Sequence, residues 1–397
     1  MNHLFVTQDY APDLGGMARR HVELCRHFAD PDNTIEVSTV DADGAEAFDA
    51  GESYRINRQP FTFPKAKVFT NQLRWGRWIA RAKHVDVIHC GNIRPCGYAV
   101  LLAHRARGTP FLLYVNGGDL LREQVGIAGS ARKRLTARRI FGGASGIVAT
   151  SAWVEGLARD VMRDLGLKNA PPIGTLSLGT DPEFFNPARN TGSLRAKWGI
   201  GGDPLLLTVA RLIPHKGQDI GIHALAALRD EFPALRYAIV GTGIDEPRLR
   251  ALAQELGVAD RVIFAGALTD AEVAEAYATA TVYVGLSRVD VGINAEGFGI
   301  SFLEAAASGI PIVAGDSGGV RSAVSDGENG IVVPPQDVNA AVEALRSLLS
   351  DKDRRTEMGA VGRRLVETRF NWDRVAGDTR EFTRSVIGVP RGRAGRA

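Results

Sequence analysis

The feature that most constrains this chain is a rhythm that runs twice along it. Short β-rich runs alternate with helical stretches from end to end. They are HLFVTQ, TIEVSTV, VDVIHC, PFLLYV, GIVATS and IGTLSLG in the first half, then LLLTVAR, YAIVGTG, RVIFAGA, TVYVGLS, IPIVAG and GIVVPP in the second. Strands covered on both faces read as continuous apolar runs, and parallel strands need a crossover of a dozen or more residues. Stretches such as DIGIHALAALRDE supply those crossovers, so the spacing fits βαβ units and not hairpins. The chain also has 397 residues, more than the ~250–300 that one hydrophobic core usually fills. The expectation is an α/β protein of two Rossmann-like, doubly wound domains, in which ligands bind outside the carboxyl ends of the strands.

The join is expected in TDPEFFNPARNTGSLRAKWGIGGDP, which is rich in Pro, Gly, Asn and Asp and has no apolar period. This divides the chain into domains at 1–185 and 186–371. A closing helix follows at 372–388, and the Gly/Arg tail 389–397 is expected to be disordered.

Composition removes several classes. Hydrophobic residues make up 45% and charged residues 23%, and no apolar run approaches the ~20 residues that span a bilayer. The opening MNHLFVTQDY reads as a strand, not a signal peptide. Cys25, Cys90 and Cys96 have no metal-ligand spacing and read as core thiols, so the expected location is cytoplasmic. The net charge of +3 hides an asymmetry: residues 1–180 carry 23 Lys+Arg against 17 Asp+Glu, and residues 181–390 carry 22 against 28. A basic first half fits either an anionic partner on that side or a solvated face. Nucleic acid is not among the expected partners.

The chemistry concentrates in NAEGFGISFLEAAASGIPIVAGDSGG, Asn294 to Gly319. Gly297 and Gly299 let the backbone approach a ligand, and the helix starting after Phe298, near Ile300, turns its positive end toward that place, which suits a phosphate. Glu304 lies more than a turn into that helix, too deep for a capping charge. As an acceptor-only group it suits the paired hydroxyls of a ribose, while Glu296 in the turn reaches a sugar hydroxyl. At the end of the first strand of the same half, VARLIPHKGQDIG carries Arg211 and Lys216, whose charges suit a diphosphate. Gly241 and Gly243 of IVGTGIDEPRLR form a strand-to-helix turn. In the first half, Gly15 and Gly16 of YAPDLGGMARRHVEL sit between strand and helix, and VNGGDLL places Asn116 and Asp119 after the fourth strand. The third glycine of a dinucleotide fingerprint is missing, so NAD is not indicated.

Together these motifs resemble the family 4 retaining glycosyltransferases, whose GT-B architecture sets two Rossmann-like domains across a cleft, and the resemblance spans nearly the whole chain. It implies a hexosyltransferase that moves a mannose- or glucose-type sugar from a GDP or UDP donor to an acceptor hydroxyl, with retention and with no divalent metal or other cofactor. Arg211, Lys216 and Glu296 would be catalytic. Gly15, Gly16, Asn116, Gly241, Gly243, Ala267, Leu268, Gly297, Phe298, Gly299, Ile300 and Glu304 would bind the donor, with Glu304 on the ribose and the base near Gly241, Ala267 and Leu268. Asn116 stands where the family usually has a histidine, so it can bind a hydroxyl but carries no proton. The final helix would return to the first domain. The quoted run is similar to that of mannosyltransferases acting on lipid acceptors, which implies a glycan or lipid-linked acceptor.

Three alternatives stay open at this stage: a metal-dependent GT-A enzyme using the D-x-D pair Asp41 and Asp43, a sugar-nucleotide epimerase of similar fold, and a binder without activity. A last choice concerns NQLRWGRWIARAKH and the basic SARKRLTARR that follows. Trp75, Trp78, Ile79 and Ala82 share one helix face and Arg74, Arg77 and Arg81 another. Either the tryptophans are core and the arginines solvated, or the segment lies on an anionic membrane surface.

Overall fold

The computed structural model describes residues 1–12, 15–61, 63, 67–289 and 294–388. The tail 389–397 lies outside the described residues. The chain forms two compact units, one comprising Met1–Leu178 together with the chain from Trp372 on, the other Gly179–Asn371.

The first unit holds seven strands: β1 (Asn2–Val6), β2 (Thr34–Val40), β3 (Arg55–Gln59), β4 (Val87–Cys90), β5 (Phe111–Val115), β6 (Gly146–Ala149) and β7 (Ile173–Thr175). Their order is β3-β2-β1-β4-β5-β6-β7 and every neighbouring pair is parallel. Central strands such as β5 are buried at every residue, which is why they read as unbroken apolar runs. Seven strands replace the six read from sequence. The added β3, RINRQ, is a polar edge strand with one buried residue, so it carries no apolar signal.

Helix Val68–Arg81 decides the tryptophan question for the interior. Trp75 is fully buried and its indole donates to Ser38 Oγ at 2.8 Å. Gly76 lies so close to helix Cys96–Arg107 that a Cβ there would come within 2.9 Å of the Ala99 carbonyl oxygen. The tryptophan side is core, and Arg74, Arg77 and Arg81 are exposed. Helix Trp372–Ile387 belongs to this unit. Its Phe382 ring fills the space left by Gly146 and Gly174, where a Cβ would approach to 3.1 and 2.9 Å, and Arg380 donates to the His27 carbonyl at 2.9 Å.

The second unit holds β8 (Leu205–Val209), β9 (Arg236–Val240), β10 (Val262–Gly266), β11 (Val282–Gly285), β12 (Ile312–Gly315) and β13 (Gly330–Val333), ordered β10-β9-β8-β11-β12-β13 and again all parallel. It begins at Gly179, ahead of the expected boundary at 185. The physical reason is that the next residues are fastened to it: Thr180 N donates to the Phe370 carbonyl at 2.8 Å. Arg363 donates to the carbonyls of Pro182, Phe185 and Ala307 at 2.8, 3.0 and 2.7 Å.

Candidate active site

In the second unit the chain leaves β8 at Val209 and makes a tight loop before entering helix Gln218–Leu228. Ile213 N donates to the Arg211 carbonyl and Lys216 N to the Ile213 carbonyl, each at 3.0 Å. Gln218, 1% exposed, closes the loop by donating to the Arg211 carbonyl at 3.1 Å. Gly217 has φ 74°, and a Cβ on it would lie 1.9 Å from the Leu286 carbonyl oxygen. Only glycine lets the loop press against the end of β11 in this way.

The same logic applies one strand over. A Cβ on Gly241 or Gly243 would come within 2.1 Å of the Ala210 carbonyl oxygen or 2.2 Å of the Leu212 carbonyl oxygen. Leu212 N donates to the Thr242 carbonyl at 2.9 Å. The two glycines therefore dock one strand-to-helix turn directly on the Arg211 loop.

This framework brings Lys216 Nζ to 2.6 Å from Glu296 Oε2, with both side chains largely buried. Burial opposes ionisation of Glu296. The Lys216 charge and hydrogen bond outweigh it, joined by His215 and the Phe298 amide, and the carboxyl is held below its ordinary value of 4.5. The Glu296 carbonyl accepts from Gly319 N at 2.7 Å, and Gly318, with φ 60°, leaves no room for a Cβ against that carbonyl. Arg211 is exposed, and its guanidinium has no partner among the described residues.

Helix Ile300–Ala307 starts behind Gly299, whose φ of 94° places its backbone against the Phe302 ring. Glu304, 5% exposed, accepts a 2.7 Å hydrogen bond from the Tyr277 hydroxyl. A buried carboxylate offers acceptor oxygens and no donor, the requirement for neighbouring hydroxyls. The Phe298 ring is 2% exposed and stands edge-on to Phe370 at 6.0 Å, which makes it part of the core. Ala267 and Leu268 follow β10, next to Gly266, whose carbonyl accepts from Gly241 N at 2.8 Å.

Sequence reasoning missed three supports. Tyr277 lies 27 residues from Glu304 in a plain alanine-rich helix and carries no local signal. Gln218 is an unremarkable first-turn residue. Arg288 donates to both carboxylate oxygens of Asp219 at 3.0 Å, and its own amide donates to the His215 carbonyl at 2.8 Å, which locks the Lys216 loop to the segment after β11.

Gly15, Gly16 and Asn116 belong to the first unit. Gly15 caps helix Gly16–Phe28, and a Cβ on it would meet nothing within 4 Å. Asn116 precedes helix Gly117–Gly129 and its amide donates to Met17 Sδ at 3.4 Å. Asp41 and Asp43 are exposed in the turn after β2. Among the described residues no three His, Cys, Asp or Glu side chains gather as a metal set.

Two all-parallel sheets, one carrying a lysine–glutamate pair and a buried carboxylate at the carboxyl edge, define a two-Rossmann glycosyltransferase class. The family described as Glycosyl transferases group 1 matches residues 190–365, and Glycosyltransferase Family 4 matches residues 14–183. A GDP-mannose-dependent alpha-(1-6)-phosphatidylinositol monomannoside mannosyltransferase from Mycobacterium tuberculosis is 32% identical over 96% of this chain and 97% of its own. A D-inositol 3-phosphate glycosyltransferase from Stackebrandtia nassauensis is 28% identical over 92% and 86%. Among solved structures, sucrose-phosphate synthase from Thermosynechococcus elongatus superposes with a TM-score of 0.79 at 23% identity, over 98% of this chain and 100% of that one, a likeness of fold. The chain belongs to glycosyltransferase family 4, with the GT-B architecture, and is a hexosyltransferase. The two-sheet fold excludes the GT-A alternative.

Proposed function

We propose that the protein transfers a mannosyl group from GDP-mannose to a hydroxyl of an inositol-phosphate-bearing lipid acceptor, with retention at the anomeric carbon and without a divalent metal. The carrying observation is the Lys216–Glu296 contact at the edge of the second sheet. It presents a compact cation, which suits a diphosphate, within one hydrogen bond of a carboxylate, which suits a sugar hydroxyl. In this reading Arg211 and Lys216 meet the diphosphate as its charge develops, when such stabilisation counts most. Glu296 meets a hydroxyl of the donor sugar. The amides from Gly297 to Ile300 lie at the helix start, facing the phosphate. Glu304 takes the ribose hydroxyls, and the base lies by Gly241, Gly243, Ala267 and Leu268. Gly15, Gly16 and Asn116 serve the same reaction from the first unit. The acceptor oxygen bonds to the anomeric carbon as the bond to the diphosphate breaks, and the departing phosphate takes the acceptor proton.

The donor and acceptor are supported by the two relatives, which are named for GDP-mannose with a phosphatidylinositol mannoside and for inositol phosphate. No helix among the described residues is long and apolar enough to cross a membrane. The exposed Arg74, Arg77 and Arg81 support a peripheral contact with an anionic lipid surface on the cytoplasmic side. Labelled GDP-mannose and UDP-glucose, each incubated with phosphatidylinositol mannoside in vesicles, test the reading. Label is expected in the lipid from GDP-mannose alone, with α configuration in the product. Transfer from UDP-glucose only, or epimerisation of donor without acceptor, would overturn it.

A further inference from the structure

The edge strand that carries no apolar signal, β3, holds a cation aimed at backbone. Arg58 lies one residue before the end of β3, and its side chain is 10% exposed. Its Nε and Nη2 donate to the two carboxylate oxygens of Asp49 at 2.9 and 2.7 Å, a two-pronged ion pair. The same guanidinium donates from Nη1 to the Val40 carbonyl at 3.2 Å and from Nη2 to the Ala11 carbonyl at 2.6 Å. Only a flat fork of donors can serve a carboxylate and two carbonyls at once, and a lysine ammonium cannot.

The two carbonyls belong to different strand ends. Val40 closes β2, and Ala11 lies in the loop that leaves β1 and leads to the glycine turn Gly15–Gly16 and helix Gly16–Phe28. The loop rests on the same neighbours at each of its next positions. Tyr10, 1% exposed, shares a 2.7 Å hydrogen bond with the hydroxyl of Tyr54, the residue before β3. Its ring meets Phe48 of helix Ala45–Asp49 edge-on at 6.1 Å. A Cβ on Gly44 would come to 3.9 Å from Pro12 Cγ. Past the turn, Arg19 N donates to the Gly15 carbonyl at 3.0 Å. Asp49 alone balances the Arg58 charge; the bond to Ala11, 47 residues away in sequence, adds a directional tie on the loop four residues ahead of Gly15. Such a tie matters where a displacement of about 1 Å can lower a rate about 10²-fold.

We propose that Arg58 is a positioning residue for the transfer: through the Ala11 carbonyl it fixes the loop that carries Gly15 and Gly16, with Asp49 holding the guanidinium in place. The role rests on the reading that this turn serves the reaction, and Arg58 acts through backbone alone.

Arg58→Met, which keeps an unbranched stem and removes the donors, and Arg58→Lys test it in two measurements. Amide hydrogen exchange on the full chain, without substrate, reads the loop directly. In Arg58→Met the amides between Tyr10 and Arg19 are expected to exchange about tenfold faster or more, while those of β5 keep their wild-type protection. Transfer from labelled GDP-mannose reads the consequence. Turnover of Arg58→Met is expected to fall about 10- to 100-fold, with the Kd for GDP within about twofold of wild type, and Arg58→Lys to recover part of the loss. A uniformly destabilised fold would instead speed exchange in β5 as well. Unchanged exchange in both variants overturns the proposal. Faster exchange with wild-type turnover overturns the role in the reaction. So does failure of both variants to fold, since it would make the arginine a packing element. If wild type itself transfers nothing from GDP-mannose, the donor reading fails, and exchange still decides whether Arg58 holds the loop.

Discussion

The carboxyl edges of the two sheets are built from the same βα turns and differ in which charges are paired: the second unit sets Lys216 on Glu296, and the first sets Arg94 on Glu123 but leaves Arg20 without an ion pair among the described residues. In the second unit several ionisable groups are paired within the fold, Lys216 with Glu296, Arg288 with Asp219, and Arg248 with Asp245 at 2.7 Å, while Arg211 is exposed and has no partner among the described residues. Buried Glu304 holds the Tyr277 hydroxyl. Among the described residues, Arg20 Nη1, His21 Nε2 and Asp119 Oδ2 of the first unit are buried with no hydrogen-bond partner, as is Gln218 Oε1 of the second. A matched edge stands in its final geometry before any ligand arrives, so it costs little reorganisation when charge develops. In the proposed reading the paired edge is preorganised for the nucleotide sugar, while the first unit keeps both a cation and a carboxylate oxygen buried without hydrogen-bond partners among the described residues.

Breaking the matched edge should give the largest effect. Lys216→Ala is expected to lower turnover by about 10²–10³-fold, the usual consequence of deleting one transition-state charge contact. It also strands the Glu296 carboxylate and lowers the melting midpoint. Lys216→Met with Glu296→Gln should melt near wild type yet remain inactive, and steady-state rates beside calorimetry on the three proteins check this. A single variant as active as wild type would remove Lys216 from the reaction.

Acid titration sharpens the same comparison with a smaller effect. Glu296 has a depressed carboxyl pKa in the folded state, because Lys216, His215 and the Phe298 amide outweigh its burial. Its contribution to stability is present above the ordinary carboxyl value of 4.5 and lost as pH falls through the lower folded value. Wild type should therefore lose stability in that window faster than Glu296→Gln, as read by melting curves across the acid range. Parallel curves would mean that the pair contributes nothing.

The smallest effect on the donor site should come from the first unit's exposed arginines. Reversing Arg74, Arg77 and Arg81 to glutamate should release the protein from anionic vesicles at low salt, each charge near such a surface adding about 1 kcal/mol. GDP affinity should be unchanged. Vesicle co-sedimentation decides this: no binding by wild type would leave those arginines as a solvated face.

What could be read from the sequence followed from locality. Twelve of the thirteen strands were legible, because burial on both faces writes a continuous apolar run. The exception, β3, lies on an edge where RINRQ keeps water on most of its residues. The short helix Ala45–Asp49 was hidden in a polar segment for the same reason. At the site, Arg211, Lys216, Glu296 and Glu304 stand out because glycines and charges gather within a few residues of strand ends. Their partners do not. Tyr277 and Arg288 come from other elements, and only the parallel order β8-β11-β12 brings them near. Arg20 carried no sequence signal either, since an arginine on a helix reads as solvated until its burial is seen. At Phe298 the ring is core, 2% exposed, so the donor contact expected of this residue falls to its backbone.

The central claim is that the matched edge of the second unit holds the nucleotide through Glu304. Calorimetric titration of GDP into wild type and Glu304→Ala tests it most directly. The account predicts a roughly 10–100-fold weaker Kd in the variant, the cost of losing hydrogen bonds from a charged acceptor, with UDP binding wild type more weakly than GDP. Equal affinity for GDP in a folded Glu304→Ala would contradict it.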